Sequence, residues 1–353
     1  MAKKFYCIKS DEWGLSIKRY KPKNAENAVI LCHGLAANKN SVDFGNEGTK
    51  KWEKYSLAAF LYKQNKIKFD AWVAELRGRN SWKKCNIFDP SKNPEKFCWS
   101  IDEYINKDMP AIINLVKEVY KKEGKKVKIF WIGKSMGGMI SYAYGEKRND
   151  FRGVVTIASP IDFKKAQLWK ELLARIAPRR IAGPINIIKI LKEIKMIKIL
   201  KRNIANLSNI DEKILNEYIE KGMDNTISWR VLEQFGIFYR HHDFCSYPKL
   251  PWLYDWFGRI PLIGKFFSPY SYKKNLHKFK APLLVIAGGG DKTAPPQDVK
   301  YVLSNVGSKD TTYHEFSKEN GYSDDYGHLD LNLGINAREE VYPVIYEWLV
   351  ERI

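Results

Sequence analysis

The sequence predicts an α/β fold, a mostly parallel sheet covered by helices and interrupted by a large helical cap insertion. Three observations predict it. Short apolar runs alternate with stretches of helical periodicity, which is the pattern of strands joined by crossover helices. One of those runs ends in Gly133-Lys134-Ser135-Met136-Gly137, a G-x-S-x-G at a strand-to-helix junction. The alternation stops near Lys164 and resumes near Lys280, so the core is expected over 1–163 and 281–353, with 164–280 as a helical cap or lid.

The elements follow in order. Phe5 to Tyr20 alternates around Asp11 to Gly14 and predicts a hairpin. AVILCHG, residues 28–34, is a continuous apolar run ending in glycine and suits a buried parallel strand. Helical spacing through Trp52, Tyr55, Leu57, Phe60 and Leu61 predicts a helix over 50–65, and AWVAELRGR, 71–79, a strand. A long helix is expected over 101–123, with Asp102 near its start and Gly124 past its end. Strands at 127–133 and 153–160 flank a helix at 136–147; beyond the insertion come a strand at 282–291, a helix near 296–305, a strand at 311–317 and a helix over 337–353. Within the insertion, lysine recurs every third residue from Lys189 to Lys201. At about 100° per residue such a series drifts around a straight helix, so it marks either an apolar helix with snorkelling lysines or a surface-seeking lid helix.

A chain of 353 residues, 44% hydrophobic, can bury a large core. The formal charge is +20, from 60 basic and 40 acidic side chains. Lysines fall in every segment, which fits a solvated surface; the competing reading is a basic face for peripheral contact with an anionic membrane or for an acidic substrate. No nucleic-acid partner is expected, and nothing points to an oligomeric state. The N-terminus has no apolar signal region, and no run approaches a membrane span. The five cysteines, Cys7, Cys32, Cys85, Cys98 and Cys245, contain no Cys-x-x-Cys pair, so a disulfide framework or zinc site is not expected and a cytoplasmic location is. Cys85 with Cys98 is the one pair that could close a loop, and it too is expected to stay reduced.

Ser135 is the expected nucleophile, raised on a sharp turn whose crowded neighbourhood requires small flanking residues. An oxyanion needs donors: the N–H of Met136 is one, and that of Leu35, in His33-Gly34-Leu35-Ala36-Ala37-Asn38, is the other. His33 itself reads as a brace for that loop. Of the six histidines, His328 in YGHLD lies in a loop beyond the last strand and is the expected base; His314 falls in a strand, and His241, His242 and His277 fall in or at the end of the insertion. Asp291, in GGGDKTAPP, follows a strand end and is the expected acid, with Asp162 the alternative. Asp324, Asp325 and Asp330 read as loop and capping residues.

HGLAAN, GKSMGG, the Asp291 loop and GHLDL resemble the α/β-hydrolase superfamily. CWSIDEYINKDMPAII and HLDLNLG are similar to its acid-lipase branch, and GHLDL to polyhydroxyalkanoate synthases. The resemblance covers residues 5–162 and 280–353 and leaves out the insertion. It departs in two places: those synthases carry cysteine where this chain has Ser135, and lipases usually carry histidine where it has Lys134. It implies a serine hydrolase that cleaves carboxylic esters through an acyl-enzyme, with no cofactor or metal. The apolar and aromatic residues of the insertion, Trp169, Leu172, Ile176, Phe235, Phe238, Tyr239 and Trp256 among them, point to a small-molecule or lipid-like ester with an apolar acyl chain. Acyl transfer or thioester cleavage by the same residues is the alternative, and a non-catalytic basic surface-binding protein a third.

Overall fold

The computed structural model describes residues 2–23, 26–79, 81–82, 85–165, 183–223, 225–258, 260 and 268–353. Eight strands form one sheet: β1 (Ala2–Ser10), β2 (Trp13–Lys21), β3 (Ala28–Cys32), β4 (Asp70–Ala74), β5 (Ile129–Lys134), β6 (Phe151–Ile157), β9 (Leu283–Gly288) and β10 (Thr311–Phe316). Their order is β1-β2-β4-β3-β5-β6-β9-β10. The predicted hairpin is β1–β2, and β2 meets β4 antiparallel; every pairing from β4 to β10 is parallel. Parallel strands need cover on both faces, and every residue of β3, β4, β5 and β9 is buried. Trp72 and Trp131, each fully buried, fill the layers against the sheet.

The helices form where the periodicity places them, with local breaks. The helix expected over 50–65 is two, Lys50–Tyr55 and Leu57–Lys63, because the Ser56 hydroxyl accepts from Ala59 N–H at 2.9 Å and donates to Asp43 at 2.7 Å. The long helix ending at Lys122 begins on a Ser100–Glu103 capping box and widens by one residue over Tyr104–Asp108. That turn delivers the buried Asp108 carboxylate to Arg77, 2.7 Å away, and to the Ser10 hydroxyl, 2.6 Å away, fixing the loop after β4.

Residues 184–280 hold most of the remaining helices, with a two-stranded ribbon, β7 (Pro184–Asn186) and β8 (Thr226–Ser228). The lysine-periodic stretch is not one helix. It is split into Ile187–Glu193 and Ile197–Ile204 by Lys195, whose φ is +56°. The break turns Ile187, Ile188 and Leu191 inward together with Leu200 and Ile204, which a straight helix with that spacing would not do.

The expectation of a fully reduced chain is corrected. Cys7 and Cys85 form a disulfide, their Cα atoms 5.3 Å apart across 78 residues of sequence. The loop after β4 folds back along the β1–β2 hairpin, so β1 and that loop become neighbours although no short spacing announces it. Cys85 therefore has Cys7 and not Cys98 as its partner; Cys32, Cys98 and Cys245 are free. Among the described residues no helix is long and apolar enough to cross a membrane.

Candidate active site

Ser135 sits at the junction of β5 and the helix Met136–Gly145, with φ +52° and ψ −120°. Such backbone angles are costly for a residue with a side chain. They are held here by Ser135 N–H donating to the Ile157 carbonyl at 2.8 Å and by two helical bonds back to the Ser135 carbonyl. The flanking glycines are required by contact. A Cβ on Gly133 would lie 2.2 Å from the Gly137 carbonyl oxygen, and one on Gly137 would lie 2.6 Å from that of His33. The elbow is thus packed directly on the loop after β3.

In that loop Ala36 has φ +51°. Among the described residues neither the Leu35 nor the Met136 N–H has an internal acceptor. His33 is fully buried; its Nε2 accepts from Leu76 N–H at 3.2 Å and its Nδ1 donates to the Gly34 carbonyl at 2.9 Å. Burial pushes its imidazole down to about 3, so it is a neutral brace.

His328 follows β10, and its Nδ1 lies 2.7 Å from Asp291 Oδ2. Asp291 follows β9; its other oxygen accepts from Thr293 and Ala294 N–H, each at 2.8 Å, which fixes the carboxylate. Asp162 is engaged elsewhere, accepting from Lys273 at 2.8 Å and from Phe163 N–H at 3.0 Å. Among the other histidines, His241 pairs with Asp255 at 3.1 Å and His242 Nδ1 lies 3.2 Å from the Phe163 carbonyl.

Ser135 and His328 line one narrow cavity of about 60 Å³. Gly34 and Leu35 form one wall, and the roof comes from Ile187, Ile188, Leu200, Ile204, Phe235 and Tyr239. Of the aromatic and apolar residues expected to line it, Phe235 and Tyr239 do. Phe238 is buried instead against Phe163, Phe235 and Phe244, and Trp256 is 77% exposed on the outer face. Trp169, Leu172 and Ile176 lie outside the described residues.

Two sets of contacts had no sequence signal of their own. Asp330, three residues beyond Gly327, receives its N–H at 2.7 Å and that of Asn206 at 3.1 Å, tying the His328 loop to the roof segment. Asn225 donates to the Ala36 carbonyl at 3.2 Å, while Asn38 and Asn40 donate to the Lys221 carbonyl at 2.7 and 3.1 Å. A lone asparagine in an insertion carries no periodicity and no motif, so only the contact reveals it. Among the described residues no cluster of histidine, cysteine and carboxylate side chains could hold a metal ion.

A parallel sheet of this order, with a strained serine after its central strand and an aspartate-bound histidine beyond the last, defines the chain as a serine hydrolase of the α/β-hydrolase superfamily. The comparisons agree. The family model described as serine aminopeptidase, S33, matches residues 92–226, which include the elbow. The chain is similar to bovine gastric triacylglycerol lipase, 24% identical over 80% of this chain and 72% of that one. It is likewise similar to the human gastric lipase, at 23% identity over 98% and 87%. Among solved structures it resembles a monoacylglycerol lipase from Paleococcus ferrophilus, with a TM-score of 0.55, 16% identity and coverage of 96% and 99%. An esterase from Exiguobacterium antarcticum gives a TM-score of 0.59 at 12% identity, covering 96% of each chain.

Proposed function

We propose that this chain hydrolyses carboxylic esters of apolar acyl chains through an acyl-enzyme, with Ser135 as nucleophile, His328 as base and Asp291 as the acid that orients it. The observation that carries the reading is the 2.7 Å bond from Asp291 to His328 Nδ1, beside a cavity that the strained Ser135 also lines. The bond leaves Nε2 as the basic nitrogen. Nε2 takes the proton of the Ser135 hydroxyl as its oxygen attacks the ester carbonyl. The tetrahedral oxyanion is held by the N–H groups of Leu35 and Met136. Nε2 then returns the proton to the leaving alcohol, and a water molecule activated by the same nitrogen releases the acid.

In this reading residues 164–280 act as a cap whose inner face selects the acyl group. The described lining is apolar apart from the hydroxyls of Ser41, Ser135, Tyr218, Tyr239 and Thr293 and the side chains of Lys134 and His328, which favours hydrocarbon over polar acyl groups. The lipase relatives agree with a lipid-like substrate. The disulfide argues against the reducing cytoplasm first expected and favours an oxidising compartment.

The test is a panel of p-nitrophenyl esters from acetyl to decanoyl, with leucine p-nitroanilide as the peptidase control and an added alcohol acceptor to detect transfer. We expect kcat/KM to rise from acetyl into medium chain length, and Ser135→Ala to abolish turnover with the fold intact. A preference for acetyl over hexanoyl overturns the apolar-acyl assignment. Turnover in Ser135→Ala at the wild-type rate overturns the nucleophile.

A further inference from the structure

Lys134 is the last residue of β5 and precedes Ser135 directly. An ammonium group is rarely buried without an exact use for its donors. This one is 3% exposed and lines the Ser135 cavity. Its Nζ donates to the backbone carbonyl of His328 at 2.5 Å, linking strand β5 to a loop 194 residues further along the chain. The charged groups that face it are the carboxylates of Asp291 and Asp330, and both favour its protonated form. One belongs to the loop after β9, the other to the His328 loop.

The His328 loop therefore has two anchors. Asp291 holds the imidazole through Nδ1, and Lys134 holds the main chain of the same residue. An aspartate alone sets the plane of the ring but leaves its distance to the serine free to vary with the loop. A bond from the residue next to the serine to the backbone of the histidine fixes that distance.

Resting on the Ser135–His328–Asp291 assignment, we propose that Lys134 is a positioning residue, whose protonated side chain clamps the His328 backbone to the nucleophile elbow and keeps Nε2 in reach of the Ser135 hydroxyl. The clamp is strongest while it is charge-assisted. Burial pushes the Lys134 ammonium down to about 8, against the pull of Asp291 and Asp330. Activity should accordingly fall as pH rises through about 8. The sign for stability is opposite. The unfolded chain keeps this proton to higher pH than the folded one, so proton loss from Lys134 does not itself destabilise the fold over that range. An alkaline loss of rate without loss of fold is the signature.

The experiment measures kcat and KM for p-nitrophenyl butyrate from pH 6 to 10, corrected for spontaneous hydrolysis, on wild type, Lys134→Met, Lys134→Arg and Ser135→Ala. Thermal unfolding is followed at each pH. We expect a descending limb near pH 8 in the wild type with a melting temperature that does not fall over the same range. Lys134→Met should lose roughly ten- to a hundred-fold in kcat at pH 7, with KM nearly constant and no descending limb. Lys134→Arg should recover part of the rate and carry it past pH 9. A wild-type profile flat from pH 7 to 10 overturns the proposal even if Lys134→Met does not fold. So does a Lys134→Met enzyme with the wild-type rate and the wild-type limb. Activity surviving in Ser135→Ala instead overturns the assignment beneath it.

Discussion

The floor and the roof of the cavity are held by different means. On the floor, Ser135, Asp291 and His328 follow strands β5, β9 and β10, and backbone bonds continue the sheet past the strand ends: Ser135 N–H to Ile157 at 2.8 Å, Ala158 N–H to Ile286 at 2.8 Å. Among the described residues the roof has no such ladder beneath it. It rests on aliphatic contacts, on the amides of Asn38, Asn40 and Asn225, and on isolated main-chain bonds to the His328 loop, Leu329 N–H to the Ile204 carbonyl at 2.7 Å and Asn206 N–H to Asp330 at 3.1 Å. Under the proposed mechanism, main-chain geometry would set the reacting groups, and mostly side chains would set what enters. Substitutions in the floor should act on kcat for every ester; those in the roof should act on KM and on chain-length preference.

Short of removing the serine itself, a large effect on the floor is expected from Asp291→Asn. It should lower kcat by about 10⁴, as loss of the histidine's orienting carboxylate does in other serine hydrolases. Asp162→Asn, measured in the same assay, should stay within about threefold of wild type, because Asp162 serves Lys273. The reverse ranking would place the acid on the wrong strand.

A smaller effect should come from the roof. Phe235→Ala removes an aromatic wall of the cavity. It should raise KM for hexanoyl and octanoyl esters by roughly tenfold, the equivalent of about two methylene groups of lost burial, and leave the acetyl ester nearly unchanged. Equal loss for acetyl and octanoyl esters would erase the distinction between roof and floor.

The smallest effect sharpens the boundary between them. Asn225→Ala frees the Ala36 carbonyl, next to the Leu35 N–H. A neutral hydrogen bond contributes about 0.5–1.5 kcal/mol, so kcat should fall by about three- to tenfold at every chain length. An effect on KM alone would show that this contact belongs to the roof and not to the oxyanion loop.

The floor was legible in the sequence because its rules are local. A buried strand, a glycine-flanked serine and a strand-end aspartate each leave a mark within ten residues, and the parallel sheet follows from their alternation. The roof was legible only as a composition. Lys134 was visible as a departure from lipase usage, yet its partner lies in another loop. Asp330 looked like an ordinary cap although it ties that loop to Asn206. The Cys7–Cys85 bond joins residues whose nearness depends on how the loop after β4 lies along the hairpin, a tertiary fact with no short-range trace. Trp256 shows the converse error: an aromatic counted for the cavity faces outward.

The break at Lys195 leaves arms of seven and eight residues, Ile187–Glu193 and Ile197–Ile204. Helices this short do not persist in water, where roughly 12–15 residues are the margin even for favourable sequences. Their coiling is therefore sustained by the inner isoleucines and leucines resting over the serine. Pulling these arms off the cavity would then melt them locally and not swing them as a rigid door. Amide hydrogens of residues 187–204 should accordingly exchange with solvent well before those of β5.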